Sequence, residues 1–384
     1  MLLKDLCTHN VGTYGIGASA CSFNKNYPTY LRITDITDDG KLVKPLPTSI
    51  DPNSYPNWKE YILSKNDLVF ARTGNSTGRN YFHNSEEELV YAGFLIRFSL
   101  NPEKIVPRYV GYYCQSKSYW KQISSLLEGS TRPTMSAELY RKLDIPIVSK
   151  AIQQHIVDTI GTIDDLIEIS NRIFSFLINL ALIKYLSFKA PKVPATNIVQ
   201  STFSYDWGKD KEELDVVPCL MIRVTDINKI NNGDLPMPPM RYVASQKLKL
   251  LQPFDIAIEI SGGSPTQSTG RCCFITKALL NTFQLPISTS GFSRTIRCND
   301  NASAVSLYFE LQKEYRIKGF FDYQNGTSGL RNLNLRLLLN ELNVKKLSSD
   351  QSELLEDLVN RAYQKVNENT MLKEEKGILL KKYF

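Results

Sequence analysis

The sequence is poor in the residues on which most catalytic chemistry depends. It holds only three histidines, His9, His83 and His155, scattered along 384 residues. Its seven cysteines (Cys7, Cys21, Cys114, Cys219, Cys272, Cys273 and Cys298) never fall in a Cys-x-x-Cys spacing. Local spacing therefore assembles no zinc ligand set, and free thiols in a reducing, cytoplasmic compartment are expected. No Gly-x-x-x-x-Gly-Lys-Ser/Thr loop occurs, which excludes a standard ATP motor. Three dispersed histidines also leave a nucleophilic triad without support. The longest apolar stretch, 173 to 188, is interrupted by Asn179 and Lys184 and reads as a buried helix rather than a membrane span. The opening residues lack the basic flank and continuous apolar region of a signal peptide.

What is present is an ordinary globular composition, 42% hydrophobic, 10% aromatic and 22% charged, without low-complexity tracts. A length of 384 residues predicts two or three compact units. The net charge of +7 is unevenly placed. Residues 1–148 carry 17 Lys and Arg against 14 Asp and Glu, and residues 191–346 carry 19 against 14. The segments 149–190 and 347–384 are balanced, with 4 against 4 and 6 against 7. All the positive excess thus lies in two segments of similar length, which suits binding of a polyanion.

Those segments repeat each other. Tyr30-Leu31-Arg32-Ile33-Thr34-Asp35-Ile36 has a counterpart in Met221-Ile222-Arg223-Val224-Thr225-Asp226-Ile227. The apolar run after Asp67 matches the one after Asp255, and each soon reaches Ser-Thr-Gly-Arg, at 76–79 and 268–271. Gly93-Phe94 answers Gly291-Phe292, and 128–131 answers 325–328. Each half ends in a long helical pattern, so the order is domain, helix, domain, helix. Boundaries are expected at 1–148, 149–190, 191–346 and 347–384. Short Val/Ile/Phe/Tyr runs bounded by turn residues, such as 89–100 and 295–298, read as strands, and 108–127 and 303–318 as helices, giving mixed α+β domains.

From Ala151 to Lys189 there is no proline, and Ile156, Ile160, Ile163, Ile167, Phe174, Leu177 and Ala181 follow heptad spacing. A second stripe, Leu166, Ile169, Ile173, Phe176, Leu180 and Ile183, predicts contact with more than one neighbour. The C-terminal segment offers Leu355, Leu358, Ala362, Leu372, Leu379 and Tyr383, interrupted by Lys365, Asn369 and Lys376. Asn369 reads equally as a register pin or as a solvated residue on a frayed end. Since only 190–201 links the first helix to the second domain, antiparallel packing is expected. A 39-residue helix of about 58 Å would then hold two basic domains apart as a ruler, a separation that suits sites about one duplex turn or somewhat more apart.

In this arrangement the chain resembles the specificity (S) subunits of type I restriction-modification systems of prokaryotes. The resemblance rests on Lys65-Asn66-Asp67 with its apolar run to Thr73-Gly74 and on Asp255 with its run to Ser261-Gly262-Gly263-Ser264. It rests most specifically on the junction where Gly129-Ser130-Thr131-Arg132-Pro133 leads through Leu143-Asp144-Ile145-Pro146-Ile147 into Ala151-Ile152-Gln153-Gln154-His155-Ile156. The second junction lacks the Ile-Pro-Ile element, and Gln351-Ser352 replaces the glutamine pair. The resemblance implies two homologous target recognition domains separated by two long antiparallel coiled-coil helices with pseudo-twofold symmetry. It also implies a bipartite duplex DNA target and docking of two methyltransferase subunits through the helices, with restriction subunits able to join. The chain itself would be non-catalytic and bind no cofactor, S-adenosylmethionine and ATP belonging to the partner subunits.

The residues agree with that last implication. The only Pro-Pro, Pro238-Pro239, lacks the polar lead and the aromatic that hold a flipped adenine. Gly12-Thr13-Tyr14-Gly15-Ile16-Gly17 reads as a loop, not a cofactor turn. Forked side chains are needed at base edges, arginine for guanine and Asn or Gln for adenine. The candidate readers are Arg72, Asn75, Ser76, Arg79 and Arg132 in the first domain. In the second they are Ser264, Gln267, Ser268, Arg271, Arg294 and Arg331. Replacing Arg271 by alanine is expected to weaken one half-site only. Arg32/Asp35 and Arg223/Asp226 read as structural pairs, because the same context recurs in domains whose targets should differ. The alternative reading is a coiled-coil adaptor that binds no nucleic acid.

Overall fold

The computed structural model describes the chain except for residues 44, 128–132, 206, 265–266, 318 and 327–330 and the side chain of 247. The chain forms two compact units, residues 1–164 with 374–384, and residues 165–373.

The first unit holds strands β1 (Thr13–Tyr14), β2 (Cys21–Ser22), β3 (Thr29–Leu31), β4 (Thr48–Ser49), β5 (Asp67–Ala71), β6 (Asn80–Phe82), β7 (Leu89–Tyr91) and β8 (Leu95–Ser99). One sheet runs β1-β8-β5-β6, all antiparallel, and a second runs β2-β4-β3-β7, with β3 and β7 parallel. β5 is buried at every position because it is central and covered on both faces. The stretch 89–100, read as one extended run, is two strands joined by a turn. The expected helix 108–127 is two helices, Pro107–Tyr113 and Lys117–Leu126. Ser116 caps the second by accepting from the Tyr119 amide at 3.2 Å, so a local serine divides the run.

The second unit holds β9 (Lys192–Pro194), β10 (Val199–Phe203), β11 (Val216–Ile222), β12 (Met240–Ala244), β13 (Ile256–Glu259), β14 (Ser261–Gly262), β15 (Cys272–Phe274), β16 (Ile287–Thr289), β17 (Ser293–Cys298), β18 (Gln324–Asn325), β19 (Arg331–Leu333) and β20 (Asn343–Lys345). Its main sheet, β10-β17-β13-β15, repeats the order and antiparallel sense of β1-β8-β5-β6. Its β11 and β16 pair in parallel, as β3 and β7 do. The duplication written in the sequence is therefore a duplication of topology. Arg32/Asp35 and Arg223/Asp226 form the same box in both units. Each aspartate is buried, accepts from the arginine amide at 2.9 Å and binds both ends of the guanidinium.

Two long helices, Lys150–Ser187 and Ser349–Tyr383, contribute to both units. In the first unit Lys376 pairs with Asp164 at 2.8 Å, and Leu379, Leu380 and Tyr383 pack on the core that holds Ile156 and Ile160. In the second, Ser170 bonds the Lys365 carbonyl, Asn369 donates to Asn171 at 2.6 Å, and Phe174 meets Tyr363 edge to face. Within each unit the helices are antiparallel. Ile156, Ile160, Ile163, Ile167, Phe174 and Ala181 are buried and Leu177 is half-buried. On the second helix Leu355, Val359, Ala362, Val366 and Asn369 are the inward positions, at the four-three spacing of a heptad, while Leu358 is half-buried. Asn369 is 1% exposed, so it is a buried layer of the seam and not a solvated end.

The second stripe departs from expectation. Leu166, Ile169, Ile173, Phe176 and Ile183 are exposed and Leu180 is half-buried, because among the described residues no element covers that face. By length and composition this helix would suffice to cross a bilayer, yet its opposite stripe is packed into the protein. At the first junction Gln153 is buried, accepting from the Val106 amide at 2.9 Å and donating to the Val148 carbonyl at 2.8 Å. That latch accounts for a glutamine at the helix start.

Candidate nucleic-acid interface

In each unit the loop that joins the central strand of the main sheet to its antiparallel neighbour is held by the same clasp. In the first, Gly78 adopts φ +92°, and a Cβ there would lie 2.9 Å from both Trp120 and Ile123. Only glycine fits that close approach. The Gly78 carbonyl accepts from the Tyr119 hydroxyl at 2.6 Å, and its amide donates to the Tyr140 hydroxyl at 3.0 Å. The Thr77 hydroxyl reaches the carbonyls of Gly74 at 2.8 Å and Pro133 at 3.0 Å. The Gly74 amide also bonds Pro133, and the Met135 amide bonds Arg72.

In the second unit Gly270 adopts φ +110°, and a Cβ would fall 2.4 Å from the buried Phe320 ring. The Thr269 hydroxyl reaches the Arg331 carbonyl at 3.3 Å, as Thr77 reaches Pro133. Ser268 is buried, its hydroxyl accepting from the Phe320 amide at 2.9 Å and its carbonyl from the Tyr315 hydroxyl at 2.8 Å. The repeated Ser-Thr-Gly-Arg is thus first an anchoring device.

Outside the clasps, Asn75 and Gln267 are exposed, and Ser76, Ser264, Arg72 and Arg331 are half-buried. The Arg72 guanidinium lies 4.9 Å from the Tyr14 ring, and its Nε is buried without a hydrogen-bond partner among the described residues. Arg294 is exposed. The two clasp arginines differ. Arg79 bonds Asp38 at 2.6 Å, an aspartate 77% exposed. Arg271 holds both oxygens of Glu259 at 2.9 Å, and that glutamate is fully buried. Hydrogen bonding to Glu259 raises the Arg271 pKa above its ordinary value against the opposing effect of burial. Arg132 and its neighbours 128–131 lie outside the described residues, as do Thr327 and Ser328.

Sequence reasoning missed Tyr14, Asp38 and Glu259. A glutamate inside the apolar run Ile256-Ala257-Ile258-Glu259-Ile260 was the available signal, because a buried carboxylate requires a cation. The spacing Gly74-Asn75-Ser76-Thr77-Gly78 matches that of a nucleophile elbow, but it lies in a strand-to-strand loop. Among the described residues no hydrogen bond joins Ser76 to a histidine, and no group of three or more His, Cys, Asp or Glu is placed to hold a metal. The thiols are free, and burial pushes Cys7, Cys272 and Cys298 up to about 12 and Cys219 to about 11.

The chain is thus a duplicated α+β domain, each copy presenting a clasped loop with arginine and amide side chains and each followed by a long helix. Residues 1–175 match the family described as type I restriction modification DNA specificity domain. The match covers the first domain and the greater part of the first long helix. No curated protein matches the sequence. Among solved structures, the type I restriction-modification S subunit from M. genitalium is similar over 100% of this chain and 95% of its own, with 15% identity and a TM-score of 0.50, which bears on the fold alone. A structure described as showing complex assembly and conformational transition of the type I R-M system matches at 15% identity and TM-score 0.40, over 100% of this chain and 96% of its own. The HsdS subunit from Thermoanaerobacter tengcongensis matches at 16% and 0.35, over 100% and 95%.

Proposed function

We propose that this chain is the non-catalytic, sequence-reading subunit of a type I restriction-modification complex, each domain reading one half of a bipartite duplex target. The observation that carries this reading is the duplicated clasp, which anchors two loops of different sequence and length at the same Thr-Gly pair. A constant scaffold with variable loops is what reading two unlike half-sites requires. Asn75 and Gln267, the exposed amides, suit adenine, while Arg72, Arg294 and Arg331 supply forked cations for guanine or phosphate. The exposed stripe from Leu166 to Ile183 suits docking of methyltransferase subunits, two for a pseudo-symmetric chain. Those subunits and any restriction subunits bind S-adenosylmethionine and ATP, and the assembly works in the cytoplasm.

The test begins by mapping methylated adenines in the source genome, which yields both half-sites. Binding of the chain with its methyltransferase to that duplex should fall steeply with salt. Asn75→Ala and Gln267→Ala should each lower affinity by about tenfold at one half-site only. Absence of any preference for the intact target would overturn the reading in favour of an adaptor.

A further inference from the structure

The repeat Gly93-Phe94 and Gly291-Phe292 is not used by either clasp. Each phenylalanine sits in a four-residue turn, Ala92 to Leu95 and Ser290 to Ser293, closed by an amide-to-carbonyl bond of 2.8 and 2.9 Å. Each turn carries the chain from the parallel-paired strand, β7 or β16, into the main sheet at β8 or β17. The Phe94 carbonyl accepts from the Arg72 amide at 3.0 Å, and the Phe292 carbonyl accepts from the amides of Ile260 and Ser261 at 2.8 and 3.1 Å. Both turns are therefore fastened to the residues where the recognition loop leaves the central strand. Both rings are 58% exposed.

Isolated exposed apolar residues are ordinary on protein surfaces. Here the same Gly-Phe stands at the same turn in both domains, and the bonds that fasten the turn are made by the backbone and not by the ring. The backbone bonds would serve any residue, and an exposed ring adds little to folding. We propose that Phe94 and Phe292 are the apolar base contacts of the two domains, one for each half-site of the duplex. This assignment rests on the functional reading above. The duplex is the fitting occupant because each turn adjoins an arginine, Arg72 through the backbone bond and the exposed Arg294 two residues on from Phe292, within a segment of positive excess. Arginine holds the phosphates or base edges, and the planar ring presses on the bases as an apolar wedge.

The experiment measures binding of the full chain with its methyltransferase to the duplex mapped from methylated adenines, at several salt concentrations. The proteins are wild type, Phe94→Ala, Phe292→Ala and the corresponding leucine variants. Each alanine variant should bind about tenfold more weakly. That loss should persist when the other half-site is scrambled and vanish when its own is scrambled. The slope of log affinity against log salt should be unchanged, since no phosphate contact is removed, and leucine should recover part of the loss. Melting temperatures should match wild type, and a fall in both alanine variants would overturn the assignment by making the rings structural. A wild type without preference for the mapped duplex would overturn the functional reading and this one together. If wild type prefers the target, unchanged affinity in both alanine variants would overturn the phenylalanine assignment alone. So would a loss shared by both half-sites, or weakened capture of methyltransferase with duplex binding intact.

Discussion

The two clasps share their glycine, threonine and arginine, but the arginines answer different charges. Arg79 reaches an aspartate on a neighbouring loop that water still solvates, whereas Arg271 closes over a glutamate at the end of the central strand that water does not reach. The loops differ in length, Asp67 to Arg79 against Asp255 to Arg271, and they share the anchored Thr-Gly-Arg end while its arginine meets a surface carboxylate in one and a buried one in the other. The same motif position is consequently a surface contact in one domain and a structural necessity in the other.

Alanine at the two positions should separate them most sharply. Arg271→Ala leaves a buried, unpaired carboxylate and should cost about 3–5 kcal/mol, whereas Arg79→Ala should cost less than about 1 kcal/mol. Equal losses in chemical denaturation would break the comparison. If Arg271 also touches DNA, its half-site effect must be measured below the melting transition of the variant.

The polar layers of the helix seam offer the next contrast. Lys376 is 7% exposed, and burial lowers its pKa against the pull of Asp164. Asp164→Ala should destabilise the first unit by about 3 kcal/mol, while Asp164→Leu with Lys376→Met should be close to neutral. A double variant as unstable as the single one would show that the pair contributes more than mutual neutralisation. The neutral Asn171–Asn369 layer of the second unit predicts a milder response, with Asn369→Leu changing stability by about 1 kcal/mol or less.

The glycines rank by how close a new Cβ would come. Gly270→Ala should lose about 2–3 kcal/mol against a fully buried ring at 2.4 Å, and Gly78→Ala somewhat less at 2.9 Å. Thermal melts of the two variants read the order directly. Smallest should be Thr77→Val and Thr269→Val, each about 1 kcal/mol, the first losing a hydroxyl shared between the Gly74 and Pro133 carbonyls and the second a single tether to Arg331. A large difference between them would mean that the clasps are not equivalent.

The repeat, the heptads and the domain-helix order were legible because each is a pattern along the chain. Heptad spacing identified the inward face of the first helix, and the same spacing through Val359 and Val366 was available for the second, but Leu358 and Leu372 drew attention to the neighbouring positions. Partners across space were not legible. Glu259 lies in a strand buried on both faces, where period-two alternation disappears and no pattern says which charge meets it. The exposed stripe of the first helix shows the same limit, since periodicity marks a residue as apolar without naming what covers it. The break at Ser116 was written in the sequence as a cap, and helical periodicity on both sides concealed it.

Both domains are stitched shut at their ends. Leu2 bridges Asp144 and the Leu3 amide bonds Leu143, while β9 pairs with β20 and the Ala195 amide bonds Leu342. Entry and exit therefore lie side by side in each domain, through a single bridge in the first and a strand pair in the second. A foreign domain ending in the same pairing could be grafted at those seams without changing the length of either helix, provided that it also met the helix residues that complete each core, Ile156 and Ile160 in the first and Phe174 and Leu355 in the second.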